Sequence, residues 1–304
     1  MKVCFDNVNF SSNSGPNSFG SRLANELVKN YQIDIVGPQS NYDVFLCFIE
    51  PTHRPKPGSI LCQRLDGIWF KPEQFKTHNK LIKWAYDNSE AVIWQSEFDK
   101  NMTQHWWGNK NGEVIHNGIE LKPAVLNKSF SEWRNKFDKL FVCAASWHRQ
   151  KRLKENVELF QNVSSDNDAL IVLGKNPDYI LDKPNIFYFG QKSHDECLSI
   201  YSLANWMIHL AWLDHCPNVV VEALSQGCPV ICTDSGGTKE IVKNNGIILK
   251  EEKYSYELRD YDNPPIVDIT STLLKDIEVY NSYLDINIAA GKYCKLFESL
   301  RRNR

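Results

Sequence analysis

Short apolar runs alternate with segments of helical periodicity along almost the whole chain. Lys2–Phe5, Gln32–Val36, Val44–Phe48, Ile60–Leu65 and Ala91–Gln95 read as strands, as do Leu140–Ala144, Ala169–Leu173, Ile186–Phe189, Trp206–Ala211 and Pro229–Thr233. These runs are continuous rather than alternating, the pattern of parallel strands covered on both faces. Between them lie helices. Phe19, Leu23 and Leu27 recur at helical spacing after Pro16, and Ser193 with Glu196 has capping-box spacing ahead of Leu198 and Tyr201. Such alternation predicts an α/β protein with parallel sheets, and about ten strands suit two sheets better than one.

The break between domains is expected near Pro123–Phe137, where polar residues dominate and no strand pattern appears. The expected division is a domain over 1–122, a second over 123–280, and a segment 281–304 carrying a last helix from about Ile286 to Arg302. A chain of 304 residues has room for two cores. Its 42% hydrophobic and 24% charged content is that of a soluble globular protein. A net charge of -2 gives no reason to expect nucleic acid as a partner. Met1–Phe10 carries Asp6, Asn7 and Asn9 where a secretion signal would need an apolar run. Leu203–Leu213 is interrupted by Asn205 and His209 and is too short to span a bilayer. Nine scattered cysteines with no Cys-x-x-Cys pair predict a reduced, cytoplasmic chain without disulfides or a zinc site.

The stretch Trp212–Glu240, WLDHCPNVVVEALSQGCPVICTDSGGTKE, carries the most chemistry. A strand runs into a polar turn, a helix opens near Pro217–Asn218, and Gly227 closes it. A second strand ends at Asp234, before the Gly236–Gly237 turn and another helix. Two helix N-termini at the carboxyl ends of parallel strands are anion sites in a nucleotide-binding crevice. Asp214 and Glu222 frame the first helix with seven residues between them. This run resembles the signature of retaining GT-B glycosyltransferases of family 4, in which two glutamates have that separation. Here the first acid is Asp. ALSQGCPVICTDSGGTKEIV resembles the family's run from the second acid through the Gly-Gly turn.

The resemblance implies a GT-B architecture: two Rossmann-like domains with parallel sheets facing across a cleft, the last helix crossing back to the first. It implies transfer of a hexose-type sugar from a UDP- or GDP-sugar to a glycan, lipid or other hydroxyl acceptor, with no metal or other cofactor. In that setting Glu222 holds the ribose and Asp214 the transferred sugar, while Pro217, Asn218 and Val219 open the helix toward the donor. Without the resemblance, Glu222 and the Gly-Gly turn read as purely structural.

ASWHRQKRL, Ala145–Leu153, clusters His148, Arg149, Lys151 and Arg152 at a strand end. Family members have an Arg and, five residues on, a Lys that bind the donor diphosphate. Lys151 matches the Lys, Ser146 stands in place of the Arg, and Arg149 is the candidate for the missing charge. The alternative is a solvated basic helix start. In SSNSGPNSFGSR, Ser11–Arg22, the family's Gly-rich loop is matched by Ser14, Gly15 and Ser18, beside the reading as a plain strand-to-helix turn. QRLDG places Asp66 like residues that touch the acceptor or the sugar, and FYFGQKSHDE matches the stretch that holds the base around Gly190, Gln191 and Lys192. VIHNGIE matches the segment before the domain break. The family's first-domain histidine is replaced at Phe48–Pro51 by Ile49, with His53 nearby.

Asp166–Asn167–Asp168 spells the metal-holding Asp-x-Asp of GT-A transferases, but it precedes a strand and reads as a solvated loop. Trp106–Trp107 and the basic helix around Lys76, Lys80, Lys83 and Trp84 leave peripheral membrane contact open beside a plain amphipathic helix. Two rival classes remain: a GT-B epimerase acting on the donor alone, and a non-catalytic nucleotide-sugar or glycan binder.

Overall fold

The computed structural model describes residues 1–12 and 14–303; Asn13, within the SSNSGPNSFGSR stretch, and Arg304 lie outside it, and the helix that was expected to follow this stretch already begins at Gly15, so Gly15 and Ser18 lie on it. The chain forms two compact units. Unit 1 is Met1–Glu120 with Ser255–Arg259 and Tyr283–Arg304, and unit 2 is Leu121–Tyr254 with Asp260–Ser282. The division thus falls slightly before the expected residue 122, and a short excursion at Ser255–Arg259 was not expected. Hydrogen bonds explain the position. The Ile119 N–H donates to Leu284 O within unit 1 (2.8 Å), whereas Lys122 O and the Ala124 N–H are both bonded to the Gln226 side chain of unit 2 (3.1 and 2.9 Å).

Unit 1 is built on six strands: β1 Lys2–Asp6, β2 Asp34–Val36, β3 Val44–Phe48, β4 Ile60–Leu65, β5 Ala91–Trp94 and β6 Gly112–Val114. Their order is β2-β1-β3-β4-β5-β6 and every pairing is parallel, with Val3 opposite Val44 and Phe48 opposite Arg64. Each of the central strands β3, β4 and β5 is buried along its whole length, as the continuous apolar runs require. The helix Gly15–Tyr31 starts on Pro16 and lays Phe19, Leu23 and Leu27 on the sheet. The helix Ile286–Arg302 joins the same core through Ile286, Ala290, Tyr293 and Phe297. Tyr31 fastens the two helices by donating from its hydroxyl to Asn287.

Unit 2 repeats the plan with β7 Leu140–Ala144, β8 Ala169–Leu173, β9 Ile186–Gly190, β10 Trp206–His209, β11 Val230–Thr233 and β12 Gly246–Leu249. The order is β12-β11-β10-β7-β8-β9, again all parallel. Ser193 and Glu196 close a reciprocal capping box on the helix His194–Leu203. The helix Asn218–Ser225 ends in a Schellman motif: Gly227, at φ 78°, donates its N–H to Leu224 O (3.0 Å), and Cys228 to Ala223 O (3.1 Å).

Two edge strands, β6 and β12, are absent from the expected set. β6 is three residues long and includes a glycine and a glutamate, and β12 leaves Ile248 exposed, so neither has the buried run of a central strand. The basic amphipathic helix is broken at Asn79 into Pro72–His78 and Lys80–Asn88. The Asn79 side chain is drawn to the Trp69 backbone, accepting from its N–H (2.9 Å) and donating to its carbonyl (2.6 Å). Trp106 and Trp107 are half-buried. Trp106 Nε1 donates to Tyr256 O (2.7 Å) and Trp107 packs edge-on against Tyr86. Among the described residues, no helix is long and apolar enough to cross a membrane.

Candidate active site

In an open parallel sheet the crevice for a ligand lies where successive strands depart in opposite directions from a neighbouring pair. In unit 2 the chain moves outward from β7 through β8 to β9 and then returns to place β10 on the other side of β7. The crevice is therefore at the carboxyl ends of β7 and β10. The segment after β7 carries Ser146, Arg149 and Lys151, and the segment after β10 carries Asp214 and leads into Pro217, Asn218 and Val219.

Backbone and side-chain bonds hold these two segments together. The Trp212 N–H donates to Gln150 O (2.9 Å), and Gln150 Nε2 donates back to Trp212 O (2.8 Å). Between these ties and the helix, Lys151 Nζ donates to Asp214 Oδ2 at 2.6 Å. His209 Nε2 lies 3.2 Å from the same oxygen, and the His215 N–H donates to Oδ1 (3.1 Å). Burial opposes ionisation of Asp214, but the Lys151 ammonium and the His209 ring outweigh it and hold the carboxyl well below the usual carboxylate range. Burial lowers His215 to about 4, with the Asp214 charge only partly opposing it. His148 is lowered by burial and by the Lys151 ammonium.

The Gly236–Gly237 turn serves this arrangement from below. Gly236 sits at φ 72°, and a Cβ there would lie 2.6 Å from Asp214 O. The Gly237 N–H donates to the same carbonyl (2.7 Å). That amide, at the second expected anion site, is thus bonded to the Asp214 backbone, and the helix it opens, Thr238–Val242, has only five residues. The turn fixes the Asp214 loop instead.

The other cations differ in role. Arg149 Nη1 pairs with Glu155 (2.7 and 3.0 Å) and its side chain is half exposed. Arg152, expected in the basic cluster, is fully buried and paired with Glu251, at a residue whose backbone is left-handed. Ser146 is exposed after β7. Glu222 is buried on the helix Asn218–Ser225, with His194 Nδ1 3.6 Å from its carboxylate. His194 opens the helix that follows the Gly190–Gln191–Lys192 segment, in which Gly190 has φ 63° and Lys192 Nζ lies 3.8 Å from Glu196. Glu222 and the expected base segment are therefore neighbours through His194.

Ser14, Gly15 and Asp66 belong to unit 1. Its switch point lies between β1 and β3, since β2 flanks β1 on one side and β3 and β4 continue on the other. Ser14 precedes the helix Gly15–Tyr31, and its Oγ accepts from Asn17 Nδ2 (2.8 Å). Asp6 ends β1 and is buried. It accepts from the Thr52 N–H and hydroxyl (both 2.7 Å) and holds His53 Nδ1 at 2.8 Å. Asp66 pairs with the buried Arg64. Arg64 in turn donates to Asn117 Oδ1 (2.7 Å), and Asn117 donates to Gln95 (3.0 Å). Burial raises Asp66 despite the Arg64 guanidinium. Asn117, in the VIHNGIE segment, is a buried member of this network.

Asp168 of the Asp-x-Asp decoy is buried, not solvated, and its carboxylate accepts from the Ser165 N–H (2.8 Å) in the turn before β8. Among the described residues, no three His, Cys, Asp or Glu side chains cluster as a metal site. Sequence reasoning passed over Gln150 and His209. The one available signal was His209 itself, a lone polar residue in an otherwise apolar strand.

This geometry can be set beside known proteins. Residues 127–257 match the family glycosyl transferases group 1. The matched group 1 segment contains Lys151, Asp214, Glu222 and the Gly-Gly turn. A curated relative, N-acetyl-alpha-D-glucosaminyl L-malate synthase of Bacillus anthracis, is 21% identical over 220 residues, covering 67% of this chain and 55% of that protein. The chain spans about half the length of this relative. Among solved structures, sucrose-phosphate synthase from Thermosynechococcus elongatus superposes with a TM-score of 0.72 at 12% identity, covering 100% of both chains. Anabaena HepE in complex with UDP and glucose gives 0.68 at 14% identity, covering 98% of this chain and 100% of the other. The fold is of the GT-B type, two Rossmann-like units each on a parallel six-stranded sheet.

Proposed function

We propose that the protein is a retaining glycosyltransferase that moves a hexose-type sugar from a UDP- or GDP-sugar to a hydroxyl of a glycan, lipid or other acceptor, without a metal. The observation that carries this reading is the meeting of Lys151 and Asp214 at the switch point of unit 2, where parallel sheets bind nucleotides. The group 1 match across that segment and the UDP held by the HepE neighbour support it.

In this reading the departing diphosphate takes Lys151 from Asp214, with Arg149 and the first turn at Pro217, Asn218 and Val219 adding positive potential. Asp214 then faces the hydroxyls of the transferred sugar. Glu222 holds the ribose, Gly190 to Lys192 the base, Ser14 and Gly15 approach the phosphates, Ser146 lies beside them, and Asp66 serves the acceptor side. Retention puts the acceptor on the face the diphosphate leaves, so no carboxylate nucleophile is required. The cytoplasm is the expected compartment.

The pairing of Arg149 with Glu155 favours a second reading, a protein that binds a nucleotide-sugar without turnover. A thermal-shift screen of nucleotide-sugars finds the donor, since a ligand at about a hundred times its Kd raises stability by about 2.7 kcal/mol. Candidate acceptors are then added to the stabilising donor. Nucleoside diphosphate released only with an acceptor establishes transfer. Release without one points to hydrolysis or donor-only chemistry, and no release over any acceptor leaves the binding protein.

A further inference from the structure

Between the strand-end turn and the helix Leu153–Val163, the backbone at Arg152 adopts φ 55° and ψ 48°. This is the left-handed region, which glycine occupies without strain and a branched-out side chain does not. The Arg152 guanidinium and the Glu251 carboxylate are both fully buried and form an ion pair. The guanidinium also donates to Leu210 O (3.1 Å) and Pro265 O (2.6 Å). Glu251 is held in its own right: Ser235 Oγ donates to its second oxygen (2.5 Å), and its N–H donates to Asp234 Oδ1 (2.9 Å).

Three consecutive residues are thus tied to one strand-end loop. Gln150 binds Trp212, Lys151 binds Asp214 and Arg152 binds Leu210. The Glu251 pair fixes the third tie to the far side of the sheet, just beyond β12. Replacing a buried ion pair by well-packed apolar groups of similar volume is often harmless to stability, whereas its directional bonds fix geometry. We propose that the buried Arg152–Glu251 pair is a positioning clamp that sets the Lys151 ammonium on Asp214 and so holds it at the anion-binding crevice. Arg152 and Glu251 act through Lys151 and do not themselves meet a ligand. The value of the clamp to catalysis rests on the glycosyltransferase reading above; the clamp itself is testable without it.

The test is the paired variant Arg152→Gly/Glu251→Gln, which suits the left-handed turn and leaves no buried charge alone. Glu251→Asp, which keeps both charges but withdraws the carboxylate, is the fallback if the pair does not fold. Trace labelling of amines with acetic anhydride, read peptide by peptide, compares Lys151 with the exposed Lys154. The clamp predicts that the Lys151:Lys154 labelling ratio rises about fivefold or more in the variant, as Asp214 loses its hold on the ammonium. An unchanged ratio in a folded variant overturns the inference. A second readout follows donor turnover in a double-mutant cycle. The paired variant is expected to lose about 10–100-fold in kcat/KM, but less than about twofold further in a Lys151→Ala background. Equal losses in both backgrounds mark a general effect on the fold and overturn the inference. A raised labelling ratio in a protein whose wild type binds neither UDP nor GDP in calorimetry keeps the clamp and removes the glycosyltransferase reading.

Discussion

Lys151 Nζ lies 2.6 Å from Asp214 Oδ2, a contact between segments that follow different strands of one sheet. Each of these groups is the other's counter-ion until a ligand arrives, and both remain partly open to solvent, at 21% and 16%. In the proposed function a diphosphate would compete with Asp214 for the ammonium, freeing Asp214 Oδ2 for a sugar hydroxyl. The two residues form one ion pair, so a change at either alters the other.

Lys151→Ala should lower kcat/KM by about 10²–10³-fold, comparable to losing one preorganised donor to a developing oxyanion. It should also destabilise unit 2 by about 1–3 kcal/mol, because Asp214 keeps its charge in a half-buried place without the ammonium. Steady-state kinetics and urea unfolding check the two parts. Full activity in Lys151→Ala would move the phosphate site elsewhere, first to Arg149, since Arg152 is buried.

Asp214→Ala and Glu222→Ala should separate. Loss of Asp214 removes a charged hydrogen-bond partner of the sugar, so kcat/KM falls by about 10–150-fold. Bare UDP or GDP should bind as well as before or better, since Lys151 is released to the diphosphate. Glu222→Ala should weaken the bare nucleotide. Calorimetric titration with nucleoside diphosphate and with intact donor distinguishes them, and the reverse pattern would exchange the two assignments.

Turnover should survive EDTA. In the proposed function the Lys151 ammonium and the first turn of the helix Asn218–Ser225 would neutralise the diphosphate in the way a divalent ion does elsewhere. Loss of activity on chelation, restored by Mn²⁺, would contradict this account of the donor site.

His215 should make the fold acid-sensitive. Its folded value is about 4, against about 6.5 in an unfolded chain. The unfolded state therefore takes up a proton first, and stability is lost as pH falls from about 6.5 toward about 4. Asp214 contributes in the same direction, but its share is lost only below about pH 4, outside this window. Denaturant unfolding at about pH 7.5 and pH 5 should show a loss of about 1–2 kcal/mol that His215→Gln reduces, the remainder coming from His148, which is also lowered on folding. An equal pH dependence in both proteins would mean that His215 is charged in the folded state.

Gly236→Ala should be costly. The residue would need φ 72° and a Cβ 2.6 Å from Asp214 O, so a loss of about 2–4 kcal/mol is expected from strain and displacement of the Asp214 loop. A melting temperature equal to wild type would show that the turn is not fixed in this way.

The central strands were legible because each is an unbroken apolar run in a sheet covered on both faces, as Val44–Phe48 and Leu140–Ala144 show. Gly112–Val114 was not, since an edge strand needs pairing on only one side and tolerates a glutamate. Lys151, Asp214 and Glu222 stood out by spacing. Their coupling did not, because the Lys151–Asp214 contact joins positions 63 apart. Arg152 was misread for a related reason. Next to Lys151 in sequence it looks like a second surface cation, and its buried partners Glu251, Leu210 and Pro265 lie 99, 58 and 113 positions away. His209 and Gln150 carry no motif, and their part appears only once β7 and β10 lie side by side.

The helix Ile286–Arg302 supplies Ile286, Ala290, Tyr293 and Phe297 to the core beneath the helix Gly15–Tyr31. In the order of synthesis, all of unit 2 emerges before this piece of unit 1 does. The strands of unit 1 must therefore wait on the ribosome with their hydrophobic layer incomplete, while unit 2 has its full complement of strands and can settle first. Until Ile286–Arg302 is made, the apolar surface around Phe19 and Tyr31, which later meets Tyr293 and Asn287, has no cover from this helix.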